Sequence, residues 1–509
     1  MGYAVGIDLG TTNSVISVCR RGVPCTLLVD GRSTMPSVIS FRDDGNLLVG
    51  QAAKARMLLD PETTVVSVKR SIGEHGKVYH IGRKEYSPID ISSLILKRLV
   101  EAARKELGSE VLDAVITVPA YFTEAQRQDT KLAGEQAGLN VLRLIPEPTA
   151  AAIAYGLDKG KDQTILVYDL GGGTFDVSIL TIHGNRFDVK AVGGDCHLGG
   201  DDFDQAIVEW AAGKFKQQTG IDLLHDKSLQ GRQSVQRLKE AAEAAKIELS
   251  LSASAIIEIP DVLGRPLSLE ISINEYNKLI APLLKHTVDC LHAVMRDAHM
   301  RPDDIDRVIL VGGSTKNRAV QDIVSFEVKD PYIADRVDEV VSHGAAILAA
   351  NMYLPDEDNL PIEVSNVTAH SLGINMMNAD EELYFRPIIQ RQTTYPCKFG
   401  VLGSTRYPDQ DEVIMTVYRG ESPDPAQNTS LGELNLPISP PSPEIVPVAA
   451  IFELDADGII HFTAVQLPLS DEVIEYITDQ NEKLDVAAVE KLIQQRVAKA
   501  KTILVKSID

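Results

Sequence analysis

The residues best equipped for chemistry are acids and hydroxyls set beside glycines at the corners of apolar strands. In Ile165-Leu-Val-Tyr168-Asp169-Leu-Gly171-Gly172-Gly173-Thr174-Phe175-Asp176-Val-Ser178-Ile-Leu180, an apolar run ends at an acid and turns through three glycines. It then resumes as an alternating strand. Glycines at such a corner let the backbone approach another group closely, and successive N–H groups there form a concavity suited to anionic oxygens. Asp169, Thr174 and Asp176 add hydroxyl and carboxylate oxygens, the donor set of a hydrated Mg²⁺. This is half of a clamp for nucleotide phosphates. Taken alone it could equally be a ligand-free hairpin.

A second copy changes that balance. Ala4-Val-Gly6-Ile-Asp8-Leu-Gly10-Thr11-Thr12-Asn13-Ser14-Val15 repeats the grammar, and Val308-Ile-Leu-Val311-Gly312-Gly313-Ser314-Thr315-Lys316 is a third turn of related type. Repetition at long spacing predicts duplicated domains whose hairpins face each other and close on phosphates from both sides.

The elements that must position these corners read as α/β over the first two thirds of the chain. Helices are predicted over 92–107, ending at Gly108, over 123–137, closing on Gly138, and from Pro146-Glu147-Pro148-Thr149 to Gly156. Strands are predicted at 111–118 and 141–145, a long helix over 234–251, strand-like residues over 254–273, and further helices to about Met300. On the long helix Glu243, Lys246 and Ser250 fall on one face at i, i+3, i+7, which by itself is also the pattern of a solvated ion pair. A Gly/Asp-rich loop, Gly193 to Asp202, opens another helix, and a last one runs from Val337 through Gly344 to Met352.

Pro355-Asp-Glu-Asp-Asn-Leu-Pro361 is acidic and proline-bounded, a linker by composition. Beyond it residues 362–478 alternate in period 2 with frequent turn signals, the pattern of an antiparallel β-sandwich. From Asp485 to Ile508 the pattern is an amphipathic helix. The expected domains are 1–354, a linker 355–366, a sandwich 367–480 and a C-terminal helix 481–509.

With 509 residues, 44% of them apolar, the chain can bury more than one core. A formal net charge of -22 argues against nucleic acid or an anionic membrane as main partner, so an anionic ligand must be held by local geometry and metal. Five cysteines without metal-type spacing, no signal-peptide pattern and no membrane-length apolar run point to the cytoplasm.

Together these motifs resemble the seventy-kilodalton heat-shock chaperone family over residues 1 to about 480. The resemblance rests on Gly6-Ile-Asp-Leu-Gly-Thr-Thr-Asn13, Val118-Pro-Ala-Tyr-Phe122, Glu147-Pro-Thr-Ala-Ala151, Tyr168-Asp-Leu-Gly-Gly-Gly-Thr-Phe-Asp176 and His197-Leu-Gly-Gly-Asp-Asp-Phe-Asp204. It continues in Val311-Gly-Gly-Ser-Thr315, Ser371-Leu-Gly-Ile374 and Leu454-Asp-Ala-Asp-Gly458. It implies an actin-like two-lobed ATPase followed by an antiparallel β-sandwich that grips extended apolar peptides, and a short C-terminal helix. ATP or ADP, Mg²⁺ and K⁺ would be the cofactors, with unfolded polypeptide, a J-domain co-chaperone and a nucleotide-exchange factor as partners.

By the same resemblance Lys69, Glu147, Asp169 and Thr174 are catalytic. Asp8, Asp169 and Asp176 serve the metal ions, the first two through the water shell of Mg²⁺. Gly10, Thr11, Thr12, Asn13, Gly171, Gly172, Gly173, Gly199, Gly200 and Asp201 would surround the phosphates. Glu243, Lys246, Ser250, Gly312, Gly313, Ser314, Lys316 and Asp338 would surround the nucleoside. Pro119 and Arg127 correspond to an interdomain switch, and Ile374, Met377, Gly403, Val413 and Met415 to a peptide groove.

The departures lie away from the phosphates. Ile362-Glu-Val-Ser-Asn366 stands where the family has a leucine run, Pro146 where it has asparagine near the J-domain surface, and Gly403 where it has phenylalanine. The 69–92 segment is short, and a helical lid beyond its first helix is expected to be missing. These departures keep open a second reading, a non-cycling regulatory or exchange-type relative with weak ATPase.

Overall fold

In the computed structural model, the two acid-glycine hairpins occupy equivalent places in two sheets of the same topology. The structure describes all residues except 1–2, 43–45, 82–83, 157–161, 334–335, 354–360, 379, 479–483, 498–504 and 509. In the first sheet Asn140–Pro146, Val111–Val118 and Tyr3–Asp8 run parallel, and Asn13–Arg20 and Val23–Thr26 continue it antiparallel. In the second, Tyr332–Ile333, Arg307–Val311 and Gln163–Leu170 run parallel, followed antiparallel by Phe175–His183 and Arg186–Asp195. The duplication inferred from two short motifs therefore extends to five strands in each sheet.

Near-continuous apolar runs in the central strands bury both faces, as parallel strands covered by helices require. One core gathers Val5, Ile7, Ile95, Leu99, Ile116 and Leu144, the other Leu166, Tyr168, Phe175, Phe203, Tyr276 and Leu310. The helices Glu147–Gly156 and Val340–Tyr353 cross where Gly344 meets Ala150: a Cβ on Gly344 would lie 1.7 Å from the Ala150 carbonyl oxygen. Such a crossing exists only with glycine.

Helix boundaries follow capping. The helix expected from Ser92 begins at Pro88, because Ser87 and Asp90 form a capping box with proline in the first turn. Thr123 and Gln126 form another at the head of Glu124–Gln136. The expected 234–251 helix spans Leu229–Leu249, capped by Ser228. Where several helices were expected to follow residue 273, one helix, Ile273–Asp297, runs through Pro282. Pro282 is on the exposed face, where its ring displaces no packed neighbour.

The chain divides into two compact units, Met1–Val364 and Ser365–Asp509. The second contains two four-stranded sheets. One orders Leu383–Ile389, Leu372–Met377, Glu412–Arg419 and Thr429–Pro437; the other orders Cys397–Ser404, Pro447–Leu454, Ile460–Gln466 and Val505–Ile508. Leu372, Val417, Leu436, Phe452 and Phe462 fill the core of this sandwich.

The C-terminal expectation needs correcting. In place of one helix over 485–508, the structure has helices Asp471–Ile477 and Val486–Val497 and a strand Val505–Ile508 antiparallel to Ile460–Gln466. The apolar stripe of the second helix, with Val489 fully buried, covers Ala449, Ile451 and Val465 on one sheet. Val505–Ile508 instead satisfies the backbone groups of a sheet edge, which an isolated helical turn could not do. Of the expected linker, 355–360 lies outside the described residues.

Candidate functional site

Each hairpin delivers its acid at the end of the incoming strand, Asp8 as the last residue opposite Val15 and Asp169 as the last but one opposite Asp176. The two turns touch: a Cβ on Gly172 would sit 1.8 Å from Thr12 Oγ1, and one on Gly173 2.4 Å from Thr11 Cγ2. The third glycine turn and the Gly/Asp loop brace the second hairpin. Gly200 N–H and Ser314 Oγ donate to the Gly171 carbonyl at 2.9 and 2.8 Å, and Asp201 N–H to that of Gly172 at 2.7 Å. Gly312, at φ +85, takes a left-handed conformation in which any Cβ would strike the Leu170 carbonyl. These glycines are demanded by backbone-to-backbone approach.

Beside the turns lies a cavity of about 370 Å³. Its wall brings together Asp8, Gly10, Thr11, Thr12, Asn13, Lys69, Glu147, Asp169, Gly171, Gly172, Thr174 and Asp201. Glu243, Lys246, Gly312, Gly313, Ser314, Lys316 and Asp338 complete the predicted set on it. Gly173, Gly199 and Gly200 lie just behind the wall, in contact with its turns. Ser250 is not on the wall; it ends the long helix and donates to the Lys246 carbonyl. Thr34, Asp204 and Ile247 line the cavity without having been singled out. Asp204 follows directly on the Gly/Asp loop and Ile247 neighbours Lys246, so both were within reach of the sequence; Thr34 sits in a loop with no comparable signal.

Lys69 rises from a short 3₁₀ turn, Val68–Ser71, and its ammonium bonds Glu147 at the start of a helix. Around this one cation stand the buried carboxyls of Asp8, Asp169 and Asp176. Thr117 Oγ1 donates to Asp8 at 3.0 Å, and the Tyr121 N–H to Asp176 at 3.0 Å. Burial, reinforced by Glu147, pushes Asp8 and Asp176 up to about 7 and Asp169 well above its ordinary range. Burial alone would lower the Lys69 pKa, but Glu147 and Asp8 outweigh it and the net shift is upward.

Four acids outnumber the Lys69 ammonium and the Arg127 guanidinium that acts on Asp176, an excess of carboxyls of the kind that a divalent cation relieves. No group of three or more His, Cys, Asp or Glu is arranged to ligate a metal directly among the described residues. Thr12 Oγ1 is buried against the turns without a hydrogen-bond partner, an unsatisfied donor on a residue that lines the cavity. The residues present fit Mg²⁺ and a nucleotide.

Other ion pairs frame the cavity. Lys246 reaches Asp204 at 2.7 Å and the Gly200 carbonyl at 3.1 Å, Lys316 reaches Asp338 at 2.7 Å, and Lys54 reaches Glu243 at 3.3 Å. Arg70 reaches Asp202 at 2.5 Å and the Gly173 carbonyl at 3.1 Å. Arg127 is buried and donates to the carbonyls of Phe122 and Ala120 at 3.3 and 3.1 Å. The turn after Pro119 is thereby tied to Arg127 on one side and to Asp176 on the other.

The groove candidates do not share one surface so clearly. Ile374 and Met415 are buried in the sandwich core, Val413 is half-buried and Met377 exposed, all in one sheet. Gly403 lies in the other sheet, paired with Val448.

Paired strand–acid–glycine hairpins on duplicated sheets, followed by a separate β-sandwich, define a two-lobed phosphate-clamping ATPase joined to a β unit. A model of the family described as Hsp70 protein matches residues 4–503, and the chain belongs to that family. It is 44% identical over 504 residues to the chaperone protein DnaK of Thermotoga neapolitana, covering 97% of this chain and 83% of that protein. It is 45% identical over 484 residues to that of Thermosipho africanus, covering 92% and 79%. The chain is a DnaK-like, ATP-dependent chaperone that hydrolyses ATP, uses Mg²⁺ and binds unfolded polypeptide. No helix among the described residues is long and apolar enough to cross a membrane.

Proposed function

We propose that ATP is cleaved between the two hairpins by Lys69 and Glu147, and that this cleavage switches the hold of the sandwich on extended apolar peptides. One observation carries the reading: the buried Lys69 ammonium, bonded to Glu147, lies with Asp8 and Asp169 on the wall of a cavity closed by both glycine turns, with the buried Asp176 behind them. Phosphoryl transfer needs positioning and charge stabilisation more than covalent help. Lys69 stabilises charge developing on the transferred phosphoryl group, and Glu147 orients the attacking water. The N–H groups of Gly10 to Asn13 and Gly172 to Thr174, with the Thr12 and Thr174 hydroxyls, cradle the phosphates. Mg²⁺ would supply charge neutralisation when bound, and Asp8 and Asp169 would hold it through its water shell. Asp176 faces a K⁺ site. Glu243, Lys246, Ser314 and Lys316 frame the nucleoside.

Residues 1–354 are in this reading the ATPase domain, 355–366 the linker, 367–480 the peptide-binding sandwich and 481–509 its C-terminal segment. Pro119 and Arg127 report the state of the phosphates, supported by the bonds that tie their turn to Asp176. Ile374, Met377, Val413 and Met415, with Gly403, contribute to the peptide groove. J-domain and exchange-factor partners belong to the same proposal, the former with Pro146 on its surface. So does a cytoplasmic location, supported by five cysteines that are all free.

Steady-state ATPase activity with and without an apolar peptide tests this. Mg²⁺-dependent turnover that rises with peptide is expected; binding of ATP with no hydrolysis under either condition overturns it.

A further inference from the structure

The segment joining the two units carries a charge between two apolar residues, Ile362-Glu363-Val364. Its backbone is nonetheless held on the first unit. The Glu363 N–H donates to the Asn185 carbonyl at 3.0 Å, and the Ile362 N–H to Asn351 Oδ1 at 2.9 Å. The segment thus meets the second sheet at the start of the strand Arg186–Asp195. Ile362 and Val364 are only half-buried there and Glu363 is exposed, so little apolar area secures the contact.

Arg186 immediately follows the carbonyl that Glu363 engages. Its side chain is exposed, but its Nε is fixed on the mostly covered Asp188, 2.9 Å from each carboxylate oxygen. That anchoring removes much of the rotamer freedom that ordinarily makes exposed ion pairs weak. The guanidinium therefore remains at the strand end with its terminal amino groups beyond the Asp188 contact.

We propose that Arg186, oriented by Asp188, is a positioning residue that holds Glu363, and with it the connecting segment, on the ATPase unit. The Arg186 pKa is raised first by its hydrogen bond to Asp188 and, by a smaller contribution, by the charge of Glu363, which agrees with such a pairing. A charge between two apolar residues thus serves docking, where a third apolar side chain would otherwise supply buried area. Because the pair is exposed, salt screens it. The link to regulation rests on the reading that this segment couples the two activities.

A double-mutant cycle on the full chain tests the pair: Glu363→Gln, Arg186→Gln and both together, followed by hydrogen exchange of the Ile362–Val364 amides. Each single change is expected to speed exchange about two- to fivefold, the range of an exposed ion pair. The double variant should be no faster than either single one, and the difference should vanish at about 1 M salt. Unchanged exchange in both single variants, or strictly additive effects in the double one, overturns the proposal. Peptide stimulation of ATPase is read in the same variants. If exchange speeds up as expected while stimulation stays at the wild-type level, the charge pair stands and the coupling role of the segment fails.

Discussion

Lys69 is held between opposing effects that leave little room for substitution. Burial works against its charge, while Glu147 and Asp8 sustain it. A donor aimed at developing charge typically contributes about 10²–10³ in rate. Lys69→Ala should therefore lower single-turnover hydrolysis by at least about 10²-fold while ATP affinity stays within about tenfold; near wild-type cleavage would remove Lys69 from the chemistry. The acids around it make a pH prediction. Asp8 and Asp176 are raised from 3.8 to about 7, first by burial. Between those values the folded protein holds protons that the unfolded chain releases, so their contribution to stability falls as pH rises through that window. Mg²⁺-ATP favours the ionised carboxylates, so its binding near neutral pH should release protons. Titration calorimetry in buffers of different ionisation enthalpy reads this directly, and proton uptake or no exchange would contradict it.

At the level of elements, the site depends on backbones that approach where no side chain fits. The crossing of Glu147–Gly156 with Val340–Tyr353 is the tightest, and it carries Glu147 at one end. Gly344→Ala would drive a Cβ to 1.7 Å from the Ala150 carbonyl oxygen, and no rotamer relieves a clash of backbone with Cβ. A stability loss of about 2–4 kcal/mol is expected, within the range of severe packing changes. Gly213→Ala serves as control. It lies inside the helix Gly200–Thr219 with nothing within 4 Å of the added carbon, so a gain of up to about 1 kcal/mol is expected. Chemical denaturation of both variants decides: equal effects would mean that the crossing tolerates a methyl group.

For the whole molecule the question is how hydrolysis in one unit reaches the other. The connecting residues Ile362 and Val364 are half-buried, and Ile362 and Glu363 bond the first unit through their backbone. Replacing Ile362 and Val364 together by Asp adds two charges to a segment held by few contacts. Peptide stimulation of ATPase should disappear while basal turnover and the melting of each unit remain. Stimulation that survives the change would reduce the segment to a tether. A coupling of about 1–3 kcal/mol is typical between sites of this kind, enough for the loss to be measured as a several-fold change in stimulation.

The acids and glycines of both hairpins were legible in the sequence because the backbone demands them locally. A turn that admits another backbone needs glycine, and a strand that ends at a charge announces the corner. The α/β order, the β-sandwich and most members of the cavity wall followed from the same short-range signals and from the motifs they compose. What faces what was not local. That Thr12 meets Gly172, that Lys69 bonds Glu147 across 78 positions, and that Ser250 lies off the wall while Thr34 lies on it depend on how two sheets close over one cavity. The C-terminal residues show the same limit. Their pattern suits a helix when read alone, yet Val505–Ile508 pairs with Ile460–Gln466 because a sheet edge presents unpaired backbone groups. Period and composition describe a segment's own preference; the partner that satisfies its backbone is decided only when distant strands have already come together.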